Sequence, residues 1–212
     1  MNTETIKKAT KRMLTIGIIT TCATLIDSCS HSPSAFQMYR PIVEKTLADQ
    51  ESERISRGIF HRVNRVRQGY GLDTLLWDDS LALFATIHAV EMGENGYISH
   101  DDYSGRKFSE RVKTFFSRFG RISENCGFYE YVITPGSTQP LPEIVNAIVD
   151  GWMNSKGHRE NMLDDGMKLT GVGTYIVIDS VCYSGDGKGI KKDGHRGPCC
   201  KIFITQNFSS GP

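Results

Sequence analysis

Four side chains in this sequence could do chemistry together: His100, Glu110, Glu124 and His158. Each lies beside turn-forming residues, where a polar side chain can face a cleft and not a core. Two neutral imidazoles offer nitrogen ligands to zinc or another divalent cation, and two carboxylates can orient an imidazole or a water molecule. The same carboxylates could act as general bases toward a metal-held water. The bland reading is that Glu110 stabilises a helix N-terminus and that His100 is merely exposed.

No general catalytic signature accompanies these residues. H-E-x-x-H, G-x-S-x-G and P-loop patterns are absent. His158-x-Glu160 followed by Pro198-Cys199-Cys200 falls short of a zinc deaminase, whose cysteines need C-x-x-C spacing. Two histidines are also fewer than the three protein ligands usual in catalytic zinc. Other candidates have structural explanations. His88 lies in an apolar helical stretch and reads as a satisfied core histidine. His61, beside Arg62 and Arg65, reads as part of a solvated basic face, and His195 as a loop residue and not a metal partner of Cys199. Trp77 and Trp152 read as packing anchors. Asn207-Phe208-Ser209 matches a glycosylation sequon that matters only on a eukaryotic secretory route.

The positioning elements can be read from periodicity. A helix is predicted from about Ser52, with Ile55, Ile59, Val63 and Val66 on one stripe and Gly69 and Gly71 ending it. Asp78-Asp79-Ser80 caps a second helix to about Glu94, apolar on most sides and therefore central. After Asn95-Gly96 a polar loop carries His100. A third helix over Phe108 to Phe119 turns Val112, Phe115, Phe116 and Phe119 inward, and residues 121–141, which hold Glu124, read as irregular. A fourth helix starts near Pro142, with Ile144, Val145, Ile148, Val149 and Trp152 on its apolar face, and the segment bearing His158 turns into a short helical piece. Strands are predicted over Gly171–Asp179 and Lys201–Phe208, joined by a solvent loop at Ser184 to Pro198. Helices first and strands last predict an α+β fold, with helices packed on an antiparallel sheet.

The chain has 212 residues, 39% of them hydrophobic, enough for one core of ordinary size. Lys plus Arg number 25 against 24 Asp plus Glu, which excludes a dedicated nucleic-acid binder. Residues 1–28 read as an export signal: Lys7, Lys8, Lys11 and Arg12 precede a mostly apolar run from Met13 to Ile26, too short to span a bilayer. Ile26-Asp27-Ser28-Cys29 resembles a bacterial lipobox, which makes Cys29 a membrane attachment point, with free secretion the alternative. Residues 29–52 are then a tether and 53–212 the folded domain of a cell-envelope or secreted protein. Beyond Cys29 remain Cys126, Cys182, Cys199 and Cys200, whose disulfides could pair in three ways.

One ordered set of motifs binds these readings together. It runs Val63-Asn64-x-x-Arg67, Leu75-x-Trp77, Leu81-Ala82-x-x-Ala85, His100 and Glu124-Asn125. It continues with Gly151-Trp152-Met153-x-Ser155-x-Gly157-His158-Arg159-x-Asn161-Met162-Leu163, Gly171-Val172-Gly173 and Gln206-Asn207-Phe208. Over about residues 53–209 this order resembles the CAP superfamily of cysteine-rich secretory proteins, antigen 5 and pathogenesis-related proteins, which has many bacterial secreted members. The resemblance implies an α-β-α sandwich with a large cleft, and His100, Glu110, Glu124 and His158 as its tetrad, the two histidines holding zinc or another divalent cation. It also implies a binding module for an extracellular lipid, peptide or glycan, frequently without catalysis. A metal-dependent peptidase or esterase in the same cleft is the alternative, and a purely structural surface protein a third reading. The chain departs from the pattern at Cys182-Tyr183, which lacks the usual Pro and Asn after it, and at Cys126, where an aliphatic residue is common. A disulfide from Cys126 to the hairpin would pin the cleft wall.

Overall fold

The computed structural model describes residues 50–116, 120–132, 141–179 and 199–211. The export segment, Cys29, Phe119, Cys182, His195 and the Ser184–Pro198 loop lie outside the described residues. In chain order the elements are α1 (Gln50–Gly69), β1 (Leu76–Trp77), α2 (Asp79–Asn95), α3 (Phe108–Phe115), β2 (Ile122–Val132), α4 (Leu141–Asn154), α5 (Lys156–Leu163), β3 (Leu169–Asp179) and β4 (Cys199–Ser209). The strands form one sheet in the order β1-β3-β4-β2.

The sheet is filled on both faces, as the alternation of its strands requires. On one face Ile55, Ile59 and Val63 of α1 and Ile144, Ile148, Val149 and Trp152 of α4 pack over Val172, Ile202, Ile204 and Phe208. On the other, α2 meets the strands through Ala89 and Val90 against Tyr175, and through Met92 against Cys126 and Phe203. Leu81 and Phe84 of α2 also gather Phe108, Val112, Phe115 and Phe116 around them. The helix lies almost directly on β3. A Cβ at Gly171 or Gly173 would run into the α2 backbone at Ala82 and Thr86, so glycine is what permits the approach.

Three sequence expectations change. Residues 122–132, read as irregular, form an unbroken antiparallel pair with β4, from Ile122 opposite Ser209 to Val132 opposite Cys199. The alternation was hidden because Ser123, Glu124 and Asn125 are polar residues that the fold partly or fully buries. The sheet is antiparallel except at β1, which pairs parallel to β3 through Leu76 and Trp77. The third helix stops at Phe115, because Phe116 leaves helical backbone at φ −128° and ψ 86°.

Because α2 cannot retreat without opening the core, Gly173→Ala is expected to destabilise the protein by about 1–3 kcal/mol, the usual cost of overpacking. Urea denaturation checks this, and an unchanged midpoint would mean that the helix is free to ride outward.

Candidate functional site

The first histidine is placed by the end of α2. Asp78 caps the start of that helix by accepting from the Leu81 N–H at 2.8 Å, and Gly96 closes its end in left-handed backbone at φ 66°. The following loop is pinned at its root by His88, whose Nε2 lies 2.7 Å from the Ser99 carbonyl and therefore carries its hydrogen there. Further along, the buried Asp102 accepts from Ser104 Oγ, the Arg106 N–H and Arg106 Nε at 2.7, 2.8 and 2.6 Å. Burial opposes its charge, but these bonds hold its carboxyl below the usual range. His100 sits between those two anchors, exposed.

Glu124, on β2, is the centre of the site. Its side chain is 1% exposed. It accepts Arg111 Nη2 at 2.9 and 3.0 Å and faces His100 Nδ1 at 3.1 Å, while the same Arg111 nitrogen donates to the His100 carbonyl at 2.7 Å. Burial works against ionisation of Glu124, but the His100 hydrogen bond and the Arg111 charge outweigh it and hold the carboxyl below its ordinary value. In return the hydrogen bond to Glu124 raises the pKa of His100.

Glu110 takes the bland role: it is exposed, and its carboxylate accepts the Lys107 N–H at 2.9 Å, closing the start of α3. The structure brings Arg111, the next residue, to Glu124 instead. The signal was present: Arg111 lies three residues after Phe108 and four before Phe115, on the inward stripe of α3, and a buried arginine requires an acid.

His158 arrives from the other layer. Arg67, 1% exposed, donates to the carbonyls of Asp73, Met162 and Asp164 at 2.8 to 2.9 Å and so ties the end of α5 to α1. Asn125 Nδ2 donates to the His158 carbonyl at 3.1 Å, and Asn161 Nδ2 donates to Asn125 Oδ1 at 2.8 Å and to the Glu124 carbonyl at 3.1 Å. The His100 and His158 rings then lie 6.3 Å apart between centroids, inclined at 62°. Burial, and next the charge of His100, lowers the pKa of His158. Among the described residues no hydrogen bond occupies His100 Nε2 or either ring nitrogen of His158.

Cys126 is a buried free thiol, not the disulfide partner expected of it. Its Sγ lies 3.5 Å from Glu124 Oε1 and 3.6 Å from both the Ser99 carbonyl and His100 Nδ1. Burial, then the Glu124 charge, pushes this thiol well up, so it stays protonated. His88, Glu124 and Cys126 offer donor atoms within 4.8 Å of one another, and such a group could hold a metal ion. Each donor is already engaged: His88 by Ser99 and Glu91, Glu124 by Arg111 and His100, and the sulfur by its proton. His88, read from sequence as a satisfied core histidine, is 1% exposed with both ring nitrogens in contact.

A family model, the cysteine-rich secretory protein family (CAP), matches residues 60–185. The chain belongs to this family. Among curated proteins it is similar to an uncharacterized membrane protein of Bacillus subtilis (strain 168), YlbC, at 31% identity over 136 residues, or 62% of this chain and 36% of that one. It is also similar to the uncharacterized YkwD of the same strain, at 28% identity over 64% of this chain and 48% of that one. The CAP chain thus spans less than half the length of either relative. Among solved structures, an extracellular SCP-domain protein of Bacillus anthracis (strain Ames) aligns at TM-score 0.51 and 26% identity, covering 74% of this chain and 41% of that one. An outer surface protein of Borrelia burgdorferi aligns at TM-score 0.51 and 19% identity, over 76% of this chain and 96% of that one, a likeness of fold. The α-β-α sandwich of this CAP chain agrees with those neighbours.

Two outcomes are expected from the pairing at Glu124. Arg111→Met leaves the buried carboxylate with His100 alone to pair its charge and should cost about 3–5 kcal/mol in urea unfolding, part of which returns when Glu124→Gln is added. His100 contributes with a definite sign. Its folded pKa lies above an unfolded value of about 6.5, so its stabilisation is complete below that pH and disappears as pH rises through the folded pKa. Glu124, with a depressed pKa, contributes above its unfolded value of about 4.3 and loses this as pH falls through the folded one. His100→Asn should therefore fall furthest below the parent in stability between about pH 4.3 and 6.5 and approach it in alkali, as pH-resolved unfolding would show.

Proposed function

We propose that the protein is an exported binding module that holds a divalent cation, zinc or a similar ion, between His100 and His158, and through it an extracellular lipid, peptide or glycan. The observation carrying this is the pairing of the two rings at 6.3 Å, with the His100 Nδ1 side turned to a buried carboxylate. That contact orients the imidazole and leaves Nε2 for the cation, the second-shell arrangement usual behind metal-ligating histidines. The donor set suits such an ion: one ring is held by Glu124, and the other is kept neutral by burial and by its neighbour's charge. Two protein donors leave coordination positions for a ligand, at which the ion would act as a Lewis acid. The extracellular SCP-domain neighbour, and the export signal with its lipobox-like Cys29, support placement in the cell envelope or outside the cell.

The geometry favours binding over a hydrolase. A general base must reach the water it deprotonates, whereas Glu124 is 1% exposed with both oxygens given to Arg111, and Glu110 is committed to its helix cap. Calorimetric titration with Zn²⁺ should show one site, lost in His100→Ala and in His158→Ala. Affinity should climb with pH through the raised pKa of His100 and then level, because that proton competes with the ion. Zinc binding unaffected by either substitution contradicts the proposal, and ester or peptide turnover abolished by Glu124→Gln would select the hydrolase.

A further inference from the structure

The two edges of the sheet are built differently. β1 is a two-residue edge, too short to recruit another strand, whereas β2 is an eleven-residue edge with unbroken register against β4. The first half of β2 is closed. The Glu124 carbonyl accepts from Asn161 Nδ2 and the Cys126 carbonyl from Trp152 Nε1, at 3.1 and 3.0 Å. Those two carbonyls therefore point away from β4, and the regular register carries the same parity to Phe128, Glu130 and Val132. Among the described residues no partner outside the sheet pairs with the backbone of these three. This half has no proline, no lysine and no bulge, and its one charged residue is Glu130. Phe128 and Val132 stand 43% and 41% exposed on the same side of the strand.

We propose that the outer edge of β2, from Phe128 to Val132, receives an extended peptide as an added strand, and that this peptide sets a basic residue opposite Glu130 with an apolar residue two positions to either side. The backbone supplies the row of donors and acceptors, and the alternate side chains supply the selectivity. Phe128 and Val132 call for apolar neighbours. Between them Glu130 is the one charge of this half; Lys201 stands opposite it on β4 but makes no ion pair with it among the described residues, so the carboxylate remains for a cation on the incoming strand. A second copy of this chain suits the edge less well, since a two-fold axis at its middle would set Glu130 against Glu130. The capped carbonyls end the ladder at Cys126, so the added strand stops short of the two histidines, and its capture requires no metal.

The test uses the full chain in EDTA and a fluorescein-labelled peptide, Thr-Val-Thr-Lys-Thr-Val-Thr, followed by anisotropy. Comparison peptides carry Glu at the centre, or N-methyl groups on alternate amides. The Lys-centred peptide should bind about five-fold or more tightly than the Glu-centred one, and the N-methylated one should not bind. Glu130→Lys should reverse the charge preference. Should that variant fail to fold by circular dichroism, Glu130→Gln should abolish the preference and keep the N-methyl sensitivity. Absence of binding by the Lys-centred peptide overturns the proposal, as does binding indifferent to charge or to N-methylation. So does a dimer in sedimentation that the peptide fails to dissociate, which would give this edge to a second copy.

Discussion

A carboxylate taken out of water must be paired or neutral, and Glu124 is paired on two sides. Arg111 reaches it from α3 and His100 from the loop before that helix, so one buried charge fixes the position of the two segments that precede β2 in the chain. The burial of Glu124 is what makes the contact count. In water the same pair would be worth little, but here loss of either partner strands a charge under α2. The two rings are shifted in opposite directions, His100 by its hydrogen bond to Glu124 and His158 by burial and next by the charge of His100. His100 gains a proton affinity that His158, facing it, loses.

A second constraint comes from the opposite layer. β2 is strapped to α4 and α5 by side-chain amides and an indole, Asn125, Asn161 and Trp152, each spent on a backbone group or on another amide. These residues occur in the sequence motifs as polar or aromatic landmarks, Trp152 being read there as a packing anchor. Their observed work is positioning: they bring His158 to the strand that carries Glu124. Arg67 and Asn64 have the same character. Asn64 brackets Leu75 by accepting from its N–H and donating to its carbonyl, while Arg67 collects carbonyls from two other segments.

The helices were legible because their apolar stripes have a period that survives in the sequence, as with Ile55, Ile59 and Val63 or Ile144, Ile148 and Trp152. Asp78 and Gly96 marked the ends of α2 by cap chemistry alone. β2 was not legible, because the site occupies it: where Ser123, Glu124 and Asn125 are buried for polar reasons, hydrophobic alternation cannot report a strand. The two histidines and Glu124 could be named from residue type and motif order. Arg111 was not named, although its place on the stripe of Phe108 and Phe115 was legible, because a positive charge beside Glu110 reads as surface until the helix is packed against Leu81 and Phe84 of α2. Glu110 shows the converse, a charged residue whose spacing suggested the site and whose carboxylate serves its own helix.

The central claim is that Glu124 orients His100 so that its outer nitrogen and a nitrogen of His158 converge on one ion. Zinc-edge anomalous diffraction from a zinc-soaked crystal measures this directly. The account predicts a peak bonded to His100 Nε2 and to His158, with the Glu124–Arg111 pair intact behind it. A peak within the His88, Glu124 and Cys126 group, or no peak between the two rings, would contradict it.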